Sequence, residues 1–394
     1  MINEEGYRNS LDLLKRASTP YGFVAALQET DNYRRIWSRD GMICGIAGLL
    51  SGDIALWPVL ESGIQLMFDN QHATGFIPSN VIPGSLKASY GGAVGRADNA
   101  SWAVIGLLKW SAYTNTDRLL VKYRDQVRKC FQLLDAWEYN GRGLLYVPQS
   151  GDWADEYIHH GYILYDQLLR VWALELAADA YNEPTWRLKA AEIRSLIAND
   201  FWKHSDHKIY YTPTLARQMA DAPDGRWLMG FNPSGIYHQY DLGANALAIL
   251  LGIGDNAQQS AAVAWLESLV TDDDNILPSF SPVIMNEDVS MLQLKNNYAY
   301  TFRNHPHEFH NGGLWPVWNG FAVAALSRGK AMQAANKLTG NIHKANVKGG
   351  VDGAWGFFEN IHGLTGMPIG IKECTWSAAG AVIAEQALNG NYII

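Results

Sequence analysis

The sequence predicts an all-α fold in which six helical hairpins close into a ring, with an inner and an outer layer of helices. Three observations predict it. Apolar residues recur at helical spacing through most of the 394 residues. The connections between the helices alternate between short turns and long loops. No Pro/Ser-rich linker interrupts the chain, so a length that would suit about two or three domains reads as one, residues 1–394.

About twelve helices follow in order. The first spans 4–17. A second, 40–51, carries the apolar run Gly41 to Leu50, and the Gly52–Asp53 turn leads into a third at 55–70. Helix 98–115 begins at Asp98. Helix 117–136 follows it with Leu120, Tyr123, Val127, Phe131 and Leu134 on one face. Leu164, Leu168, Trp172 and Leu176 mark 162–181. After the Asn182–Pro184 turn, Trp186, Ile193, Ile197 and Phe201 mark 184–202. Helix 240–252 and helix 256–271, with Val263, Leu266 and Val270, flank Gly254–Asp255. Helices 313–328, 329–342 and 374–388 complete the set. The long connections, 71–97, 137–161, 203–239, 272–312 and 345–373, are rich in Gly, Pro, His and aromatics. They would gather at one end of the ring and carry function while the helices carry the scaffold. Short strands are expected inside them at Leu144–Val147 and Lys208–Thr212. No 20–50-residue repeat is visible, which disfavours an open solenoid.

Composition narrows the function. The chain is 48% apolar and 18% charged with net charge −8 and no Lys/Arg run, so a nucleic-acid surface is not expected. No apolar run reaches membrane-spanning length. The N-terminus MINEEGYRNS is acidic, and Cys44, Cys130 and Cys374 lie far apart. Both features fit a cytoplasmic protein with reduced thiols and neither a disulfide framework nor a zinc site. The 15 Trp, 19 Tyr and 12 Phe lean towards carbohydrate. Flat apolar faces with a polar handle match the C–H faces and hydroxyl rim of a sugar.

Four polar-aromatic clusters sit at helix edges. The first is Arg35-Ile36-Trp37-Ser38-Arg39-Asp40-Gly41. The second is Gly95-Arg96-Ala97-Asp98-Asn99-Ala100-Ser101-Trp102. Asp40 and Asp98 are equally readable as helix caps or as acceptors for sugar hydroxyls, and Trp102 as a stacking or a packing residue. The third, Asp152-Trp153-Ala154-Asp155-Glu156-Tyr157, crowds three carboxylates around aromatics. An acid held among aromatics has its charged form disfavoured, which suits a proton donor. The fourth region holds His305-Pro306-His307-Glu308-Phe309-His310-Asn311-Gly312-Gly313-Leu314-Trp315-Pro316, then Phe357-Phe358-Glu359 and Thr375-Trp376. Its histidines lack the H-E-x-x-H spacing of a helical zinc site, so no metal is expected. Glu359 in an aromatic loop needs a partner or a task. No dinucleotide, Walker or G-x-S-x-G motif is present, so no cofactor is expected. Two carboxylates in aromatic loops at one end of a ring fit glycoside hydrolysis. One would protonate the leaving oxygen, and the other would attack carbon or activate water.

The order of these motifs resembles the neutral/alkaline invertases and, more loosely, the trehalase-, glucosidase- and glucoamylase-type (α/α)6-barrel hydrolases. Trp37-Ser38-Arg39-Asp40-Gly41 with Leu49-Leu50-Ser51-Gly52-Asp53 resembles the family's arginine–aspartate helix. Gly95-Arg96 with Asp98 and Trp102 resembles its Gly-Arg…Asp-Ser-x-x-Trp segment. Asp155, Gly161 and Gln167 follow its Ile-Asp-Arg-Arg…Gly…Gln segment, and Asp241-Leu242-Gly243-Ala244-Asn245 its Leu-Gly-Asn helix start. His310-Asn311-Gly312-Gly313-Leu314-Trp315-Pro316 is close to its His-Asn-Gly-Gly-Ser-Trp-Pro. Phe357-Phe358-Glu359 resembles its Trp-Pro-Glu, and Thr375-Trp376 opens the last helix. The likeness runs over residues 35 to 388. Glu156-Tyr157 stands where the family has Arg-Arg, and Leu314 where it has Ser.

The resemblance implies an (α/α)6 barrel with Asp155 as general acid and Glu359 as general base. Asp152 is a rival for the acid. Trp37, Arg39, Asp40, Asp98, Trp102, Asp152, Trp153, His310, Asn311, Trp315 and Trp376 would shape the sugar subsite. The expected activity is inverting, exo-acting hydrolysis of a small α-glucoside, with the carboxyls about 6.5–9.5 Å apart. The expected partner is a small carbohydrate, with no nucleic acid and no membrane, and a homo-oligomer stays open. A sugar epimerase using His305, His307 or His310, or a non-catalytic sugar-binding protein, are the alternatives.

Overall fold

The computed structural model describes residues 2–204, 210–271 and 273–394. Twelve helices build the ring: α1 (Ile2–Arg16), α2 (Ser38–Ser51), α3 (Trp57–Asp69), α4 (Asp98–Thr114), α5 (Arg124–Ala136), α6 (Leu164–Tyr181), α7 (Pro184–Asp200), α8 (Leu242–Leu250), α9 (Asn256–Ser268), α10 (Pro316–Arg328), α11 (Met332–Val347) and α12 (Thr375–Leu388). The even-numbered helices form the inner layer. Each packs on the next, and α12 packs back on α2, closing the circle. The odd-numbered helices lie outside, each against its inner neighbours. The fold is an (α/α)6 barrel.

The two layers differ in sequence for a physical reason. An inner helix touches neighbours on every side, so it has no polar face. In α2, every residue from Ser38 to Leu50 is buried. An outer helix needs only one apolar stripe. In α5 that stripe is Val127, Cys130, Phe131, Leu133 and Leu134. Closure also demands small residues where helices touch most closely. A Cβ on Gly320 of α10 would collide with the carbonyl group of Gly380 in α12, and one on Gly380 would collide with the Pro316 carbonyl.

Most of the inner helices start directly after a short extended segment. Ile36–Trp37 pairs with Asn80–Val81 ahead of α2, Tyr162–Ile163 with Gly230–Asn232 ahead of α6, and Tyr240–Asp241 with Phe280–Ser281 ahead of α8. Single bridges do this work for α10 (Leu314 with Ile361) and α12 (Cys374 with Ala26). The inner N-termini therefore converge on the long-loop end. Three of them tie a loop down with a buried amide at their fourth residue. The Gln167 amide bonds both the N–H (3.1 Å) and the C=O (2.9 Å) of Leu145. Asn245 does the same for Trp227, and Asn319 for Leu277.

Three expectations are corrected here. The predicted helix 117–136 breaks at Tyr123, giving a short helix Arg118–Lys122 before α5. Tyr123 stacks on Phe68 of α3 and donates to Asp69 at 2.8 Å, and this packing overrides helical continuity. Leu144–Val147 is no strand, because Gln167 occupies the Leu145 backbone and only Val147 bridges, to Gly161. Lys208–Thr212 begins outside the described residues, and Thr212 caps a short helix, Pro213–Gln218.

Replacing Gly320 by Ala is expected to cost about 1–3 kcal/mol or more of stability, since the new methyl meets backbone that cannot swing away. A urea titration checks this, and an unchanged midpoint would mean the α10–α12 contact is looser than described.

Candidate active site

The converging N-termini and long loops line a pocket open at its mouth. Trp37, Arg39 and Asp40 reach it from the start of α2. Trp153, Asp155 and Glu156 come from the 137–161 loop. Arg303, Phe309 and His310 come from the loop before α10, followed by Trp315. Glu359 comes from the last long loop and Trp376 from the first turn of α12. Nine of the thirteen candidate residues thus meet in one place.

Glu359 is 4% exposed. Its Oε1 accepts from the Tyr33 hydroxyl at 2.9 Å, while Oε2 is buried with no partner among the described residues. Tyr33 in turn accepts from Arg303 Nη1 at 3.1 Å. Burial pushes the Glu359 carboxyl up to about 7, against the opposing pulls of Arg303 and the Tyr33 hydrogen bond. Burial likewise holds Tyr33 well above the usual phenol range, so it stays a donor. The backbone fixes Glu359 as well: its N–H donates to the Ile371 oxygen at 2.8 Å. Gly370, at φ +80°, passes so close that a Cβ there would collide with Oε2.

Asp155 stands at the mouth, with its side chain 32% exposed and Oδ2 paired to Arg96 at 2.5 Å. Enclosure among aromatics was expected of this carboxylate, and it belongs to Glu359 instead. Oδ1 of Asp155 makes no hydrogen bond among the described residues. Glu156 is buried and fully engaged. Arg303 Nη2 (3.0 Å) and the Ala299 N–H (3.3 Å) bond its Oε1, and Arg303 Nε (3.4 Å) bonds Oε2. Asp40 lies between the two poles. Burial raises its carboxyl, and the charge of Asp155 adds to that rise. Asp40 in turn raises Glu359.

Four candidate residues stand behind the wall. Asp98 pairs with Arg39 at 2.6 Å and so positions a cavity residue, with Trp376 under the guanidinium. Trp102 donates to the Tyr165 hydroxyl at 2.8 Å, deep in the inner ring. Asp152 is 1% exposed and occupied by His159 Nε2 (2.5 Å) and the Ala154 N–H (2.8 Å). Asn311 bonds the N–H and C=O of Ile284, both at 2.8 Å, as another loop tie. Asp40 and Asp98 are not caps. Each lies within its helix, and the residues capping α2 and α4 are Trp37 and Ala97, neither with a side-chain bond to its helix.

Aromatics form the floor. Trp153 touches Trp315, Trp318, Trp376 and His310 at ring separations of 5.0–6.5 Å. His310 stacks on Trp315, and burial holds it well below the usual imidazole range, hence neutral. Nε1 of Trp153 and of Trp376, Nδ1 of His310 and Oε2 of Glu359 are all buried without partners among the described residues. His305 and His307 do not line the cavity. Among the described residues no three His, Cys, Asp or Glu are placed to hold a metal ion, and no helix is long and apolar enough to cross a membrane. Sequence reasoning missed Tyr33, Arg303 and Tyr300. The first two pair an aromatic with an Arg just ahead of recognised motifs (Tyr33-Arg34-Arg35 and Phe302-Arg303-Asn304), and that was the available signal.

No family model matches the sequence, and no curated protein does. Solved structures do match in fold. A bacterial glucoamylase complexed with acarbose superposes with TM-score 0.63 at 19% identity over 98% of this chain, which spans only 56% of that longer protein. A glycosidase variant in complex with glucose gives 0.65 at 16% identity, covering 99% and 98% of the two chains. The GH63 mannosylglycerate hydrolase from Thermus thermophilus, in complex with Tris, gives 0.63 at 13% identity over 96% and 99%. The chain therefore has the fold of six-hairpin glycosidases.

Asn311→Ala should strand the Ile284 backbone pair and lower the unfolding free energy by about 1–3 kcal/mol in a denaturant titration. A variant of unchanged stability with altered sugar affinity alone would make Asn311 a ligand residue instead.

Proposed function

We propose that the protein is an inverting, exo-acting glycoside hydrolase that cleaves a small α-glucoside. The observation that carries this reading is Glu359: a buried carboxylate with one oxygen held by Tyr33 and the other unpartnered, lining the same cavity as Asp155. The Glu359 carboxylate then takes a proton from the attacking water. Asp155 protonates the leaving oxygen through its unengaged Oδ1, and Arg96 aims it. Asp152 and Glu156 are less suited, because both oxygens of each are already bonded. Asp40, Arg39 and the Trp153, Trp315 and Trp376 faces would hold the terminal sugar. A pocket open at one end supports exo action. Invertase-like specificity for sucrose is one member of the expected range, and Glu156-Tyr157 beside the acid argues for a leaving-group site of different shape. The epimerase alternative is weakened, since of its three histidines only His310 lines the cavity.

Proton NMR of sucrose, trehalose, maltose, isomaltose and glucosylglycerate turnover tests the mechanism. β-Glucose appearing first from any of them is the expected result, whereas α-glucose first would demand a retaining mechanism. Glu359→Gln should lower kcat by about 10²–10⁴-fold. Asp155→Asn should do so on these glycosides but spare α-glucosyl fluoride, whose leaving group needs no proton. If Glu156→Gln shows that pattern instead, the acid is Glu156.

The pH dependence follows from the sign of the Glu359 shift. A base must be ionised, and this one ionises as pH rises through about 7. So kcat/KM should fall as pH is lowered through about 7. Tyr33→Phe removes a donor that favours the charged form, so the acidic limb should move to higher pH; a limb that stays put would remove Tyr33 from the account.

A further inference from the structure

We infer, resting on the hydrolase reading, that Tyr300 is a stacking platform for a neutral ring in the leaving group, and that this site disfavours a leaving group bearing a carboxylate. A general acid stands on the leaving-group side of the bond it helps to break. Whatever borders Asp155 at the mouth therefore faces the departing half of the substrate.

The 297–304 segment borders it. It is strapped to the acid's own loop at both ends. The Asn297 amide accepts from Ser150 Oγ (2.9 Å) and donates to the Tyr157 oxygen (2.7 Å), and the Ala299 N–H reaches Glu156. Beyond the tip, Arg303 pairs with Glu156, and Asn304 donates to the Glu156 oxygen at 2.9 Å. Tyr300 lies between these ties, lines the cavity, and is 75% exposed. A single exposed aromatic on a free loop would mean little. Here the flanking ties fix the segment beside the acid, and an aromatic face there meets the C–H face of a second sugar ring.

Charge sets the second half of the inference. Asp31, Asp40, Asp155, Glu156 and Glu359 line the cavity against Arg39 and Arg303. Arg39 is committed to Asp98 and Arg303 to Glu156, while Arg96, outside the lining, is committed to Asp155. Among the described residues the lining offers no uncommitted cation to a carboxylate, which would meet the Asp31 carboxylate instead.

Steady-state kinetics on three probes test this. Wild-type protein should prefer its best neutral disaccharide (from sucrose, trehalose, maltose and isomaltose) over glucosylglycerate by at least about tenfold in kcat/KM. Tyr300→Ala should lose about tenfold on that disaccharide and clearly less on α-glucosyl fluoride, which has no second ring, while Tyr300→Phe should keep both. Equal losses of Tyr300→Ala on both probes, or a preference for glucosylglycerate, would overturn the inference while the hydrolase reading stands. Failure of wild-type protein on the fluoride and every glycoside would instead sink the hydrolase reading and this inference with it.

Discussion

The structure depends on one constraint: the six inner helices have no side facing water. A helix buried all round can keep polar groups only where they satisfy one another or serve a ligand. The chain meets this at the helix starts. Gln167, Asn245 and Asn319 each stand at the fourth residue of an inner helix and each bond both backbone groups of one loop residue. Asn311 does the same one loop earlier than α10. Each amide has one donor face and one acceptor face, which is what a peptide group needs. Irregular loops thereby become rigid without forming a sheet.

The same convergence explains the electrostatics. Helix N-termini carry partial positive charge, so carboxylates gather there. Asp40, Asp98 and Asp166 lie in first turns, and Asp241 caps α8. Burial works against their charge. It raises Asp241 to about 7 and Asp166 well above its usual range. The balancing cations are few and specific. Arg39 answers Asp98, and Arg303 answers Glu156 while reaching Tyr33. Glu359 is reached only through Tyr33 and receives no direct ion pair among the described residues. Its proton affinity therefore stays near neutrality, which on the proposed reading lets it both lose and take a proton.

How much of this was legible depends on which force chose the residue. The ring was legible, because a fully apolar inner helix and a striped outer one leave different spacings in the sequence. Asp155, Glu359 and the Trp-rich floor were legible as carboxylates and indoles at densities a plain core does not need. The errors share a cause. Asn311, Asp152, Trp102 and Asp98 sit in motifs as distinctive as the site's own, yet they act from behind the wall. A motif records that a residue is needed, and a loop tie is needed as much as a ligand. Tyr33, Arg303 and Tyr300 were hidden for the opposite reason. Their positions depend on contacts across 326, 270 and 147 residues of chain, as with Tyr33–Glu359, Arg303–Tyr33 and the Arg303–Glu156 tie beside Tyr300. Local spacing carries no trace of such pairs.

The two carboxylates of the cavity differ in how they are held. Glu359 is buried and held through a hydroxyl, a backbone N–H and a glycine that leaves no room to move. Asp155 is a third exposed and held through a single guanidinium. A base that must orient one small water gains from rigidity, because a misplaced nucleophile loses the near-attack geometry. An acid whose product must leave gains from standing at the opening. On the proposed reading, water is activated at the closed end while the leaving group departs at the open one, past the 297–304 strap. A retaining enzyme would need the second water to come from the acid's side after departure of that group. An unpartnered oxygen at the enclosed pole, on Glu359, could serve a nucleophile in double displacement or a base in single displacement, so on the proposed reading it is the side from which water enters that separates the two.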